Sequence, residues 1–216
     1  MLGFDNLDIV ESVPMRHIKT NLHCDMIGIH QDLIDVALDT GCNRSLIPAQ
    51  LLNFGMSRDK ALDILMVSTN VPVEVSLGVE GTLEDTSDIM KLMHRLNDYK
   101  FKCKNKGYTL DQARAYINKN MTLDELNKIR NSKFIKFRIQ VSNLTVGCIN
   151  IGTGVLSVAF NLKCNTVLLG METLQYLYIQ TFRFKQKQYT LLALRSDKEC
   201  IRKAVQLSNL WLGYEG

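Results

Sequence analysis

The residues best placed for chemistry lie in Val36-Ala-Leu-Asp39-Thr40-Gly41-Cys42-Asn-Arg-Ser45-Leu-Ile-Pro48. An apolar run ends in an acid and turns at once through Thr40 and Gly41, so a carboxylate sits where a strand would leave a sheet and bend. Glycine suits such a bend because it has no Cβ and tolerates unusual backbone angles. By itself Asp-Thr-Gly is also an ordinary acidic turn after a strand. A second element lies far downstream, Val167-Leu168-Leu169-Gly170-Met171-Glu172-Thr173-Leu174. Two large apolar residues and a glycine lead there from a strand into a helical turn, which in isolation reads as core packing.

Around these two elements the chain alternates between strand and helix character. From Ile18 to about Pro48 the pattern predicts a hairpin of two strands around a polar break at His30-Gln31-Asp32. AQLLNF reads as a short helical turn, and Ser57 is placed to cap a helix over DKALDILM. VPVEVSLGVEG then returns to alternation, with Val71, Val73, Val75 and Leu77 on one face. From Thr82 to about Arg130 the signals are helical. Ile89, Leu92, Met93 and Leu96 form one stripe, and capping boxes at Thr109…Gln112 and Thr122…Glu125 open two short helices. The basic run KFKCKNK in this stretch reads as a solvated connector or, less simply, as a binding patch. Strand-length runs resume in KFIKFRIQV, LTVGCINI, VLSVAFNL and NTVLLG, followed by a helical turn and a closing hairpin with its turn near Gln186-Lys187-Gln188. Ser196…Glu199 reads as a capping box for a last helix that carries Ile201, Ala204, Val205 and Trp211 near one face.

Taken together, the two-strand lead-in MIGIHQDLIDVALDTG, the apolar-apolar-Asp-Thr-Gly-Cys-x-x-Ser pattern with SLIP after it, and the closing LLGMETL resemble the retropepsin-like aspartic proteases. The resemblance covers roughly residues 18–82 and 132–194. It implies a mainly β fold with helical additions: a retropepsin-like acid-protease β-barrel with a helical insertion and a C-terminal helix. The implied boundaries are an N-terminal extension at 1–17, a β domain at 18–82 and 132–195, the insertion at 83–131 and the helix at 196–216. In the family, the apolar-apolar-Gly element packs beside the Asp-Thr-Gly loop as a psi-shaped unit.

Peptide hydrolysis by this route uses two carboxylates that share one proton, because like charges at that distance do not both ionise. This chain has one Asp-Thr-Gly, and Asp5, Asp8, Asp35 and Asp63 read as surface or capping residues. The second carboxylate is therefore expected from an identical subunit across a two-fold axis. The resemblance assigns Asp39 as the catalytic acid and base, Thr40 as the residue that ties the two loops together, and Gly41 as the amide beside the carboxylate. Cys42 stands where pepsin-like relatives often carry a serine hydroxyl. A thiol donates more weakly, which points to a working pH nearer neutral; Cys42 also reads simply as a small buried filler. The alternating segment Val71–Gly81 is the candidate flap, with Gly78 and Gly81 as substrate-binding residues, or else an ordinary hairpin with glycine turns. Substrate in such a cleft adds as an extended strand, which favours flexible apolar segments of proteins.

Composition limits the alternatives. The 216 residues can bury one sizeable core and a smaller second unit, and a formal charge of +4 is too small to imply a nucleic-acid partner. The six cysteines include no Cys-x-x-Cys pair and the four histidines supply no zinc pattern, so neither a metal nor another cofactor is expected. The N-terminus lacks the basic start and apolar stretch of a signal peptide, and no run approaches a membrane span. The expectation is a cytoplasmic homodimer acting on protein or peptide, with no nucleic acid and no membrane. A dimeric peptide-binding or regulatory module on the same fold, without turnover, is the alternative. A nucleic-acid-associated protein using Lys100–Lys106 and Arg183–Lys187 is a third reading with little else behind it.

Overall fold

The computed structural model describes residues 6–13, 16–52, 74–75, 83–131, 135–159 and 165–215. The elements begin with β1 (Leu7–Val13), β2 (His17–Cys24), β3 (Ile29–Leu38), β4 (Leu46–Pro48) and β5 (Glu74–Val75), followed by helices α1 (Leu83–Asn105), α2 (Leu110–Asn120) and α3 (Leu123–Asn131). Strands β6 (Ile135–Val141), β7 (Thr145–Val146), β8 (Ile149–Asn150), β9 (Gly154–Ala159) and β10 (Val167–Leu169) lead to the short helix α4 (Met171–Leu174). The chain closes with β11 (Leu177–Phe184), β12 (Lys187–Leu194) and α5 (Lys198–Glu215). It is a mixed α/β protein with an open mixed sheet, and among the described residues there is no closed barrel. Among the described residues helix makes up 39% against 40% strand, so the helical share exceeds what a mainly β chain implies. No helix among the described residues is long and apolar enough to cross a membrane.

Two compact units are present, one of Met1–Leu46, Val141–Val155 and Asn165–Gly216, the other of Ile47–Gln140 and Leu156–Cys164. In the first, the strand order is β11-β12-β1-β2-β3-β10, with the small β7–β8 hairpin on β2. The segment read as an N-terminal extension supplies β1, which pairs antiparallel with β12 along Leu7–Glu11 and with β2 at Ser12 and Val13. Leu7 and Ile9 reach the core formed with Phe182, Leu191, Ala193, Cys200 and Ala204, so α5 docks on the strands of its own subunit. Its cap differs by one residue from the expectation: Asp197, not Ser196, accepts the Cys200 N–H at 3.0 Å.

The β2–β3 hairpin forms as predicted but turns elsewhere. The turn is the 3-10 segment Asp25–Ile27 closed by Gly28, while His30, Gln31 and Asp32 continue β3 opposite His23 and Leu22. The polar stretch makes an irregularity inside the strand. Register shifts between Thr20 and Leu22, Leu33 takes a φ of 52°, and its N–H is satisfied by Asn21 Oδ1 at 3.1 Å.

Alternation along β1 sends Asp8 to the face away from α5. Asp8 accepts hydrogen bonds from the Thr20 hydroxyl and the Cys148 N–H, and a Cβ at Gly147 would sit 1.9 Å from its Oδ2. It is therefore a packed, partnered acid rather than a surface or capping one. Burial, partly offset by those bonds, raises its carboxyl above the ordinary value of 3.8. A raised folded-state value favours the protonated form, so the contribution of Asp8 to stability is full below its unfolded value and is lost as pH rises through the folded one. We expect Asp8→Asn to flatten the stability-versus-pH curve just above pH 3.8 and to be at least as stable as wild type at pH 7. Urea melts across that range check this. An Asn variant that follows the wild-type curve would assign the dependence to other groups.

The second unit contains the three helices, which occupy the stretch read as a helical insertion. Leu92, Met93, Leu96, Lys100 and Cys103 recur at helical spacing on α1 and are buried, as are Ala113 and Ile117 of α2 and Leu126 and Ile129 of α3. Both expected capping boxes are present. Thr109 Oγ1 accepts the Gln112 N–H and Gln112 Oε1 accepts the Thr109 N–H, with the same reciprocal pair at Thr122 and Glu125. Arg95 ties α1 to α3 through Glu125 and reaches the Asn120 carbonyl at 3.1 Å. Lys100 is 1% exposed, and burial with Lys104 nearby lowers its ammonium from 10.5 to about 8. Strand β5 pairs with β6 at Glu74↔Lys136 and Val75↔Ile135. The rest of the candidate flap, with Gly78 and Gly81, and the helix predicted after Ser57 lie outside the described residues.

Candidate active site

Sequence-distant strands build the site. β10 runs parallel to β3, matching Val167 with Val36, Leu168 with Ala37 and Leu169 with Leu38. On its other side Leu168 pairs antiparallel with Leu46, the first residue of β4. β10 is thus threaded between two strands that are joined to each other by the loop 39–45, which must pass around its end. The apolar runs explain why this holds: Val36, Leu38, Val167 and Leu169 are all 2% exposed or less.

Asp39 leaves β3 at the end of this parallel pair. Its N–H donates to the Leu169 carbonyl at 2.9 Å, continuing the ladder by one bond. Its Oδ1 accepts the Gly41 N–H at 2.9 Å, and its carbonyl accepts the Cys42 N–H at 3.3 Å. The loop thereby orients the carboxylate from its own backbone, while Asp39, Thr40 and Gly41 are all exposed. The Cys42 thiol donates to the Arg44 carbonyl at 3.4 Å.

The loop is clamped from beneath by the start of α4. The first turn of a helix has amide donors without intrahelical partners; here the Met171 N–H meets the Cys42 carbonyl at 2.8 Å and the Glu172 N–H meets the Asn43 carbonyl at 2.9 Å. The Gly170 N–H donates to Ser45 Oγ at 3.1 Å, and the Ser45 and Thr173 hydroxyls are hydrogen-bonded to one another. Glu172 completes the arrangement, accepting the Ser45 N–H at 2.6 Å and lying 3.7 Å from the Arg44 guanidinium. On β3, Asp35 accepts from the Thr166 hydroxyl at 3.0 Å and lies 3.4 Å from His17 Nδ1, so this presumed surface acid ties the entry of β10 to β2 and β3.

No family model, curated protein or solved structure matches this chain.

The arrangement brings Asp39, Thr40 and Gly41 to the end of the Leu168-Leu169-Gly170 element. Glu172 and Thr173 were not singled out from the sequence as site residues. The available signal for Glu172 was an acid in the first turn of a helix that begins just after a glycine. Among the described residues, no group of three or more histidine, cysteine or acidic side chains could hold a metal ion. We expect Glu172→Ala to leave the partly buried Ser45 N–H without its acceptor and to cost about 1–3 kcal/mol. Glu172→Gln, which keeps an oxygen there, should lose less. Urea denaturation of both variants checks the order, and equal losses would mean that the charge facing Arg44 matters more than the acceptor.

Proposed function

We propose that this chain is a retropepsin-like aspartic endopeptidase that works as a homodimer, with Asp39 of each subunit forming the catalytic pair. The observation that carries the proposal is the threading of β10 between β3 and Leu46, with Asp39 held at the rim of that unit by the Leu169 carbonyl and the Gly41 amide. This is the relation between the Asp-Thr-Gly and Leu-Leu-Gly elements that the sequence resemblance implies. The exposed position of Asp39, Thr40 and Gly41 is in keeping with a half-site completed by a second copy.

In the assembled pair the two Asp39 carboxyls share one proton, so one acts as base and the other as hydrogen-bond donor. The ionised carboxylate takes a proton from a bound water as the water oxygen bonds to the peptide carbonyl carbon. The protonated carboxyl hydrogen-bonds to the carbonyl oxygen, which becomes a hydroxyl in the tetrahedral intermediate. Collapse restores the carbonyl, breaks the C–N bond and passes a proton to the leaving nitrogen. Thr40 holds the two loops together across the axis. The substrate is an extended, apolar stretch of protein. The proposed setting is the cytoplasm, where thiols stay reduced.

Proteolysis of a denatured protein, measured beside the oligomeric mass, tests the proposal. The expected result is cleavage by wild type at concentrations where it is dimeric. A dimer that binds extended peptides without cleaving them would establish the non-catalytic module instead.

A further inference from the structure

We infer that a pocket at the C-terminal ends of β8, α4 and β12 binds a carboxylate carried on an apolar body, the chemistry that the last residue of a peptide presents. The space is about 540 Å³, within the range of small-ligand sites. Three segments distant in sequence line it: residues 150–152 at the end of β8, Gln175 and Tyr176 after α4, and residues 194–196 before α5. The Arg195 N–H donates to the Tyr176 carbonyl at 2.9 Å and Leu177 pairs with Leu194, which holds the last two segments side by side.

The polar groups of the pocket favour an anion. No acid lines it, whereas Arg195 does, and the exposed Arg195 side chain has no ion pair or hydrogen bond among the described residues. The hydroxyls of Tyr176 and Ser196 are likewise unpartnered among those residues. Gln175 spends one amide N–H on the Glu172 carbonyl at 3.1 Å and keeps the other. The two acids closest in sequence are committed elsewhere: Asp197 accepts the Cys200 N–H at 3.0 Å, and Glu172 accepts the Ser45 N–H at 2.6 Å.

Charge and shape narrow the ligand further. One guanidinium balances one negative charge, and its fork of donors matches the two oxygens of a carboxylate. A phosphate dianion would bring a second charge that no other cation in the lining meets. The apolar part of the lining takes the body of the ligand: Ile151 is 7% exposed, Leu194 is half-buried, and Gly152 leaves open space, since a Cβ there would meet nothing within 4 Å. An aliphatic or aromatic side chain next to the carboxylate buries its surface against these residues and the exposed Tyr176 ring. One further step rests on the proposed proteolysis. Cutting an apolar stretch of protein leaves one product that ends in an apolar residue with a new carboxylate, so the pocket suits a product of the reaction.

Isothermal titration of the full chain with acetyl-Ala-Ala-Leu, as the free acid and as its C-terminal amide, tests the inference. The acid should bind at least about tenfold more tightly than the amide, the size expected of hydrogen bonds to a charged group. Arg195→Gln should bring the acid down to the affinity of the amide and leave the amide unchanged, while Arg195→Lys, which keeps the charge without the fork, should recover part of the difference. Arg195 is exposed, so thermal melting of both variants should match wild type. Equal binding of acid and amide, no binding of the acid at millimolar concentration, or an acid affinity untouched by Arg195→Gln would each overturn the inference. Acetyl-leucine separates the two sources of the ligand: binding as tight as that of the tripeptide assigns the pocket to free small acids, and weaker binding assigns it to a chain terminus. Cleavage of a denatured protein is read separately. A chain that cleaves but shows no preference for the acid keeps the protease proposal and loses the pocket, and one that shows the preference without cleaving keeps the pocket and ends the protease proposal.

Discussion

Replacing Asp39 with asparagine should abolish proteolysis, lowering the rate by about 10⁴-fold or more, at the upper end of what a general acid or base contributes. The effect is expected to be large because one substitution in a homodimer removes both members of the pair. Asparagine can neither take the proton from water nor donate an acidic one to the carbonyl. The fold should survive. Asparagine retains an Oδ1 that can accept the Gly41 N–H, and the bond to the Leu169 carbonyl comes from the Asp39 backbone. Cleavage of a denatured substrate, with thermal melting as the control for folding, gives the result. Undiminished cleavage by a folded Asp39→Asn variant would remove Asp39 from the chemistry.

Gly170→Ala should do more damage to the fold than any conservative change at Asp39. Gly170 has a φ of −94°, which other residues adopt readily, so backbone angle does not explain the glycine. Proximity does. A Cβ there would stand 2.4 Å from the Arg44 carbonyl oxygen and 2.7 Å from that of Cys42. Both contacts are with backbone, and the Cys42 carbonyl is already fixed by the Met171 N–H. The loop must move away from α4 to admit a methyl group, which separates Ser45 from the Gly170 amide. Overpacking costs about 1–3 kcal/mol, and two fixed backbone oxygens within 2.7 Å put this site at the upper end. We expect a matching loss in urea denaturation and little or no proteolysis, since the same displacement disturbs the loop that carries Asp39. Wild-type stability in this variant would mean that the loop is not tightly held against α4.

What could be read from the sequence, and what could not, follows from the range of the forces involved. The caps at Thr109 and Thr122 are local, made by side chains within three residues of the amides they satisfy, and the helices begin where those residues stand. The turn of the β2–β3 hairpin was misplaced because His30-Gln31-Asp32 has the polarity of a turn, whereas the chain reverses at Asp25–Gly28 and absorbs the polar residues in an irregular strand. Leu7–Val13 gave no decisive signal. Its strand exists through pairing with β12, which comes from the far end of the chain. The site divides in the same way. Asp39 and Gly41 were legible in a local motif, and Leu168-Leu169-Gly170 only as its distant partner. Glu172 became visible as a clamp only when β10 brought α4 against the loop, since its bond to the Ser45 amide joins residues distant in sequence.

Subunit mixing probes the claim of a shared reaction centre most directly. Wild type and Asp39→Asn are combined at a fixed total concentration well above that of dimer dissociation and allowed to exchange before cleavage is measured. If both copies of Asp39 are required, activity should fall as the square of the wild-type fraction, because only dimers with two intact acids hydrolyse the bond. Activity that falls in direct proportion to the wild-type fraction would mean that each subunit cleaves on its own, in contradiction of a reaction centre shared across the axis.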